Sequence, residues 1–363
     1  MLAGGGSGGH ICPNIAVAER LRELGVDLDV NLLVSSRRLD AELAEKHSLA
    51  YTQLPVQPLT NRLRALPGWI WKCRESIRQV RQLIADRAVS AMVATGGFVS
   101  GPAVFAAKRM GVPVALVNLD AVAGKANRLM AGWADCIFSV YELRQLPDAK
   151  RIGMPLRRQS VGRGDKEMAQ RELGLEPGRP TVLVCGGSQG AQTINDMMVR
   201  LAESGWPDQR WQVMHLSGPT DGQRLRQAYQ NAAVTATVLD FCDAMGSAWL
   251  AADLAISRAG AGSVAEALAN TTPTVFVPYP FHRDQHQSQN AALLVELAGA
   301  VRLRDEANAQ ANANQLRPML AGLMADAAKR RVMTEALSAR QSGDGAQTVA
   351  RWAANCSGLG RLV

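Results

Sequence analysis

Two glycine-rich loops, about 180 residues apart, constrain the fold of this chain more than any other feature. The first reads Ala3-Gly4-Gly5-Gly6-Ser7-Gly8-Gly9-His10 and the second Cys185-Gly186-Gly187-Ser188-Gln189-Gly190-Ala191. Each follows apolar residues that read as a strand, and each opens what reads as a helix. In that setting the missing side chains let a ligand reach backbone N–H groups, and the helix N-terminus favours negative charge. Each loop is therefore a candidate cradle for phosphate or sugar. Its occurrence twice predicts two similar halves with a ligand between them.

Between the loops, strand and helix alternate. Residues 13–24 form an amphipathic helix, with Pro13 at its start and Gly25 just past its end. Apolar runs at 30–34, 90–94, 114–117, 180–185, 212–216, 235–239, 254–256 and 274–277 predict strands, most of them followed by helices. The run inside 180–185 is unbroken, as in a strand buried on both faces. This pattern predicts an α/β fold of two doubly wound parallel sheets, with ligands beyond the carboxyl ends of the strands and the cleft between domains as the default active site. A chain of 363 residues is comfortable for two such domains. The first is expected over 1–155 and the second over 156–335, joined by the charged stretch that runs through Asp165 and Lys166. Met1-Leu2-Ala3 leaves almost no strand before the first loop, where about 5 residues are usual. A weak first strand is expected, and a truncated start is suspected.

Of the formal charge of +8, six units fall in residues 1–155, which hold 19 Lys/Arg against 13 Asp/Glu. A basic first half suggests an anionic partner: nucleic acid, a phosphorylated substrate or anionic lipid. The six cysteines (12, 73, 136, 185, 242 and 356) are scattered without a CxxC, which reads as small apolar residues in a reducing compartment. No signal peptide is visible, and no apolar run reaches the ~20 residues that span a bilayer.

Five motifs in order carry a resemblance. They are Gly8-Gly9-His10 with Pro13; Gly96-Gly97-Phe98-Val99-Ser100-Gly101-Pro102; Gly186-Gly187-Ser188-Gln189-Gly190-Ala191 with Asn195; Ser257-Arg258-Ala259-Gly260 with Glu266; and Asp284-Gln285-His286-Gln287 with Asn290. Together they resemble the MurG glycosyltransferases, from residue 3 to about 350. That family moves N-acetylglucosamine from UDP-N-acetylglucosamine to lipid I, making lipid II for peptidoglycan. The resemblance implies a GT-B fold of two Rossmann-like domains facing a cleft, with the 336–363 helix returning to the first domain. It implies an inverting transferase without metal or other cofactor, without a nucleic-acid partner, and peripheral to the cytoplasmic face of the inner membrane.

It also implies roles for residues. His10 is the expected general base, since imidazole is the side chain best matched to proton transfer near neutrality; anchoring phosphate or sugar is its other possible role. Ser7, Gly8 and Gly9 would offer N–H groups to acceptor diphosphate or donor sugar, and Gly6, Gly96, Gly97 and Asn127 are expected on the acceptor side. Gly187, Ser188, Gln189 and Asn195 would hold the UDP phosphates, with Arg157 adding fixed charge. The stretch 241–245 would pack the uracil, the backbone of Cys242 reading its edge. Arg258, Ala261, Gly262, Ser263, Val264, Ala265 and Glu266 form the next donor segment, Glu266 accepting from the ribose. His286, Gln287 and Asn290 would meet the sugar. Asp27-Leu28-Asp29 resembles a metal-holding Asp-x-Asp but lies far from either loop, so it reads as surface.

A membrane signal sits in 61–87. Leu66, Trp69, Ile70 and Trp71 lie among Arg62, Arg64, Lys72, Arg74, Arg78, Arg81 and Arg87, the composition of a segment on an anionic interface. Ile77, Val80, Leu83 and Ile84 fit the ordinary alternative, a helix packed on the sheet. The chain departs from the family at three places. Asn118 stands where a glutamate is usual and cannot be a base; Asp120, two residues on, is the candidate carboxylate. Phe98 replaces a tyrosine and Met154 an asparagine. Related GT-B transferases with another acceptor, and UDP-sugar epimerases, stay open at this level, as does a non-catalytic sugar-nucleotide binder. A nicotinamide oxidoreductase is disfavoured, because neither loop fits G-x-G-x-x-G followed by an acidic residue closing a strand ~20 residues later.

Overall fold

The computed structural model describes residues 1–25, 28–60, 63–187, 190–281, 285–340 and 343–358. The chain divides into two compact units, Met1–Arg157 with Ser342–Val363, and Arg158–Gln341.

Unit 1 runs β1 (Leu2–Ala3), α1 (Gly8–Glu23), β2 (Asn31–Ser35), α2 (Arg38–Lys46), β3 (Ala50–Leu54), α3 (Leu66–Asp86), β4 (Met92–Ala94), α4 (Gly97–Arg109), β5 (Val114–Asn118), α5 (Lys125–Ala131), β6 (Cys136–Ser139) and β7 (Lys150–Arg151). The strands form a parallel sheet in the order β3-β2-β1-β4-β5-β6-β7. As expected, β1 is short. It is nonetheless central, pairing Leu2 with Leu32 and Val93 on its two sides. Two paired neighbours satisfy a strand that could not hold alone. The Met1 ammonium adds a bond to the Ala91 carbonyl at 2.8 Å, and burial lowers its pKa to about 6.

Unit 2 runs α6 (Lys166–Glu172), β8 (Thr181–Cys185), α7 (Gln192–Glu203), β9 (Gln212–Leu216), α8 (Gly222–Asn231), β10 (Ala236–Leu239), α9 (Met245–Ala251), β11 (Leu254–Ser257), α10 (Ala261–Ala269), β12 (Thr274–Phe276), α11 (His286–Glu296), β13 (Ala300–Arg302), α12 (Ala309–Ala325) and α13 (Ala327–Ser338). Its parallel sheet has the order β10-β9-β8-β11-β12-β13. Both faces are covered: Ile194, Met198 and Leu201 of α7 meet Val182, Val184 and Ile256 on one side, while Trp249 of α9 meets Leu183, Ala255 and Phe276 on the other. All five residues of β8 and of β9 are buried, and in β8 this matches its unbroken apolar run.

The last helix, α14 (Gly345–Cys356), belongs to unit 1. Its apolar stripe Ala346, Val349, Ala350 and Ala353 is buried, and it packs on α1. Arg20 of α1 is 3% exposed and pins this return: Nε donates to Asp344 at 2.7 Å and Nη2 to the Leu156 carbonyl at 3.0 Å.

Candidate active site

In unit 1 the loops after β1, β4 and β5 leave one edge of the sheet, because Ala3 lies beside Ala94 and Ala94 beside Leu116. His10 stands in the first turn of α1. Its Nδ1 is 3.1 Å from the Thr95 carbonyl oxygen. A carbonyl oxygen only accepts, so Nδ1 carries the hydrogen and Nε2 the lone pair, the tautomer a general base needs. The Thr95 hydroxyl donates back to the His10 carbonyl at 2.7 Å, tying strand end to helix start twice. Gly96 and Gly97, expected on the acceptor, seat this imidazole: a methyl on Gly97 would meet Cδ2 at 3.2 Å, and one on Gly96 would meet Cε1 at 3.3 Å. Their φ values of 100° and 78° also exclude most side chains.

Ser7 is the N-cap of α1 and its carbonyl accepts from the His10 and Ile11 N–H groups at 3.1 and 3.3 Å. The Gly8 and Gly9 N–H groups precede these bonds, in a first turn without acidic residues, and are donors for an anion. Gly6, expected on the acceptor side, has both backbone polar groups engaged by the protein. Its N–H donates to the Asp40 carboxylate at 2.7 Å and its carbonyl accepts from the Arg37 guanidinium.

Asn118, at the end of β5, is 1% exposed and works as a bolt. Its Oδ1 accepts from Asn127 Nδ2 at 3.1 Å, and its own Nδ2 reaches the Asp120 carbonyl at 2.8 Å and Ser139 Oγ at 3.2 Å. Asn127 is thereby turned with Oδ1 toward Gly96. Asp120 is half-buried near Tyr141, whose hydroxyl pKa is raised by burial and further by the Asp120 charge. Arg157 is 7% exposed, and its Nε is buried without a hydrogen-bond partner. A buried N–H without an acceptor is costly, and an anion would complete it.

In unit 2 the loops after β8, β9, β11 and β12 again leave one sheet edge, with Cys185 beside Leu216 and Ser257, and Ser257 beside Phe276. Ser188 and Gln189 lie outside the described residues; Gly190 N–H donates to the Gly187 carbonyl at 2.9 Å. Asn195 is turned into the protein. It is 2% exposed, and its Nδ2 donates to the Ser217 carbonyl at 2.9 Å and to Asp221 at 2.8 Å. Its Oδ1 accepts from His215 Nε2 at 3.1 Å, while His215 Nδ1 accepts from the Tyr229 hydroxyl at 2.8 Å. Burial lowers the His215 pKa to about 3, which keeps this chain in one neutral tautomer. Asn195 thus braces the Ser217 turn, on which Gly190 packs so closely that a methyl there would meet the Ser217 oxygen at 2.6 Å.

Arg258 is likewise turned inward. It pairs with Asp305 at 2.8 Å, donates to the Val277 carbonyl at 2.9 Å and also reaches Thr193 Oγ1. Asn290 is fully buried and donates to the Ala259 carbonyl at 3.2 Å. Val264 sits in the core and spends its N–H on the Gly260 carbonyl at 3.0 Å, so it and Ala265 behind it are helix body. Ala261, Gly262 and Ser263, half-exposed, carry the open N–H groups of α10. Glu266 is oriented by the Trp249 indole N–H at 3.1 Å. Gln287 accepts from Tyr279 N–H at 2.9 Å through Oε1, which aims its amide nitrogen as a donor. Half-buried His286 opens α11 after Gln285, which is left-handed at φ 49°. The Cys242 side chain is in the core, and burial raises its thiol pKa, leaving only the backbone for recognition.

On α3, Val80 and Ile84 pack inward while Leu66, Ile70 and Trp71 are exposed, Trp71 by 64%. Trp69 differs from the expected pattern: it is half-buried and its indole N–H donates to the Gln57 carbonyl at 3.0 Å. Leu59, 59% exposed, adds an exposed apolar side chain just before the 61–87 segment. No described helix is long and apolar enough to cross a membrane. Of the Asp-x-Asp, Asp27 lies outside the described residues and Asp29 is exposed, paired with Arg87 at 3.1 Å.

Residues 1–139 match the N-terminal domain of glycosyltransferase family 28, and residues 181–349 match its C-terminal domain. The UDP-N-acetylglucosamine--N-acetylmuramyl-(pentapeptide) pyrophosphoryl-undecaprenol N-acetylglucosamine transferase of Acidithiobacillus ferrooxidans (strain ATCC 53993 / BNL-5-31) is 34% identical, covering 99% of this chain and 98% of the relative. The protein of the same name from Leifsonia xyli subsp. xyli is 35% identical, over 88% and 89% of the two chains. The crystal structure of Acinetobacter baumannii MurG superposes with a TM-score of 0.74 at 22% identity, over 98% of each chain, a likeness of fold. Matched by both family 28 domains and by relatives a third identical along nearly their whole length, the chain belongs to the MurG family of glycosyltransferases.

Proposed function

We propose that this enzyme transfers N-acetylglucosamine from UDP-N-acetylglucosamine to lipid I, forming lipid II, and that it does so by single displacement with inversion. The 34% identity to transferases of that name along the whole chain carries the reading. The acceptor hydroxyl attacks the anomeric carbon; its proton passes to His10 Nε2 as the bond to the UDP oxygen breaks, and UDP leaves as the diphosphate. Unit 1 serves the acceptor through His10, the Gly8 and Gly9 N–H groups and Asn127. Asp120, two residues past β5, supplies a carboxylate where Asn118 cannot. Unit 2 serves the donor through the 186–190 loop, the α10 N-terminus, Glu266 on the ribose and Gln287 on the sugar. N–H dipoles and the Arg157 charge stabilise the leaving diphosphate in place of a metal. The test is transfer of radiolabelled sugar to a short-chain lipid I analogue in the presence of EDTA. Disaccharide product is expected; tight UDP binding without product would point to another acceptor.

The acceptor is membrane-borne, and the exposed Leu66, Ile70 and Trp71 among Arg64, Arg74, Arg78 and Arg81 suit a peripheral contact with anionic lipid. The double variant Ile70→Ser/Trp71→Ser is expected to bind phosphatidylglycerol vesicles at least about tenfold more weakly, since each large apolar side chain contributes ~1.5–3 kcal/mol when buried. Unchanged co-sedimentation would remove α3 from the contact.

A further inference from the structure

We propose that Asp40 and Arg37 form a clamp that holds the first glycine loop in its acceptor-binding shape, making both positioning residues for the transfer. The proposal rests on the reading above that this loop serves the acceptor.

Asp40 lies in the first turn of α2 and is fully buried. Its Oδ2 accepts three bonds, from Gly6 N–H at 2.7 Å, Ser35 N–H at 3.1 Å and Ser35 Oγ at 2.5 Å, while Oδ1 is buried without a partner. Arg37, the exposed N-cap of α2, donates through Nη1 to the Gly6 carbonyl. Both polar groups of one residue are thus gripped from one helix start, more than 30 residues away in the chain. The Phe98 ring closes a third side, with Cε1 packed where a Gly6 side chain would begin. Next along the chain come Ser7, the open N–H groups of Gly8 and Gly9, and His10.

A run of glycines has more backbone freedom to lose than any other sequence. Left loose, it would order only on binding, at the expense of affinity and of His10 placement. An acceptor-only carboxylate suits three converging donors, and its charge strengthens each bond. The charge is held behind the loop, so the forward N–H groups stay available to an anion. Ser35 and Asp40 have no evident role in the chemistry, and the clamp accounts for a buried carboxylate with no ion pair among the described residues.

Steady-state kinetics with acceptor analogue and UDP-N-acetylglucosamine varied separately, alongside thermal unfolding, tests the clamp on the full-length enzyme. Arg37→Met, at the surface, should leave the unfolding temperature unchanged yet raise acceptor KM by about tenfold. Asp40→Ala should raise acceptor KM and lower kcat by about tenfold or more, with Asp40→Asn, which keeps an accepting oxygen, recovering most of both. Donor KM should stay constant throughout. Wild-type acceptor kinetics in Arg37→Met and Asp40→Ala would overturn the clamp. So would a loss confined to Asp40→Ala that lowers the unfolding temperature and raises both KM values alike. If both variants instead raise donor KM alone, the clamp stands and the acceptor reading of the loop fails.

Discussion

His10→Ala is expected to lower kcat by about 10²–10⁴-fold, the usual contribution of a positioned acid–base group, while the KM for UDP-N-acetylglucosamine hardly moves. The expectation comes from how the ring is held. Nδ1–H is committed to the Thr95 carbonyl at 3.1 Å, and the ring edge is packed against Gly96 and Gly97. Nε2 is therefore the nitrogen left to take a proton. His10→Asn separates holding from chemistry, because its amide can still donate toward Thr95 but has nothing at the Nε2 position. Both variants should be equally impaired in single-turnover transfer, with UDP binding by calorimetry intact. A loss below about tenfold in His10→Ala would remove the histidine as base. Asp120 would then be the next group to replace.

Much of this was legible in sequence because it was local. The strand at 180–185 was readable from its continuous apolar run, and both loops from their glycines. Strands β3, β6, β7 and β13 were not: β3 carries Tyr51, Thr52 and Gln53, β7 is only Lys150 and Arg151, and β6 and β13 are apolar runs too short to stand out. α1 begins at Gly8 rather than Pro13, since its first turn is glycines that spacing rules assign to the loop. Site residues divide by the same logic. His10, Glu266 and Gln287 announce themselves by motif, but motif position does not say which way a side chain turns. Asn195, Arg258 and Asn290 stand in family positions and point into the protein, where they hold loops in place. Asp40, His215 and Trp249 gave no signal at all. Their partners Gly6, Asn195 and Glu266 are distant in the chain, and only the fold brings them together.

Arg258→Met should cost about 3–5 kcal/mol of stability, the range for removing one partner of a buried ion pair. The Arg258 and Asp305 side chains are 7% and 0% exposed and meet at 2.8 Å. Burial pushes the Asp305 pKa up, but bonds from Thr193, Arg258, Asn312 and the Ala307 N–H outweigh it and the net shift is downward. A carboxyl depressed in the folded state stabilises fully above its unfolded pKa, about 3.9, and that contribution is lost as pH falls through the lower folded value. Removing Arg258 removes one of the lowering bonds, so acid unfolding of Arg258→Met should begin at higher pH than in the wild type. Urea unfolding at neutral pH and an acid titration measure the two effects. The double variant Arg258→Met/Asp305→Asn should regain part of the loss, because no charge is then left buried and unpaired while an oxygen still accepts from the neighbouring donors. Were Arg258 a ligand of the donor phosphates instead, Arg258→Met would weaken UDP binding while leaving both unfolding curves in place. The inward geometry predicts the opposite order: stability falls first, and UDP affinity changes only as far as the loop that carries Thr193 loosens.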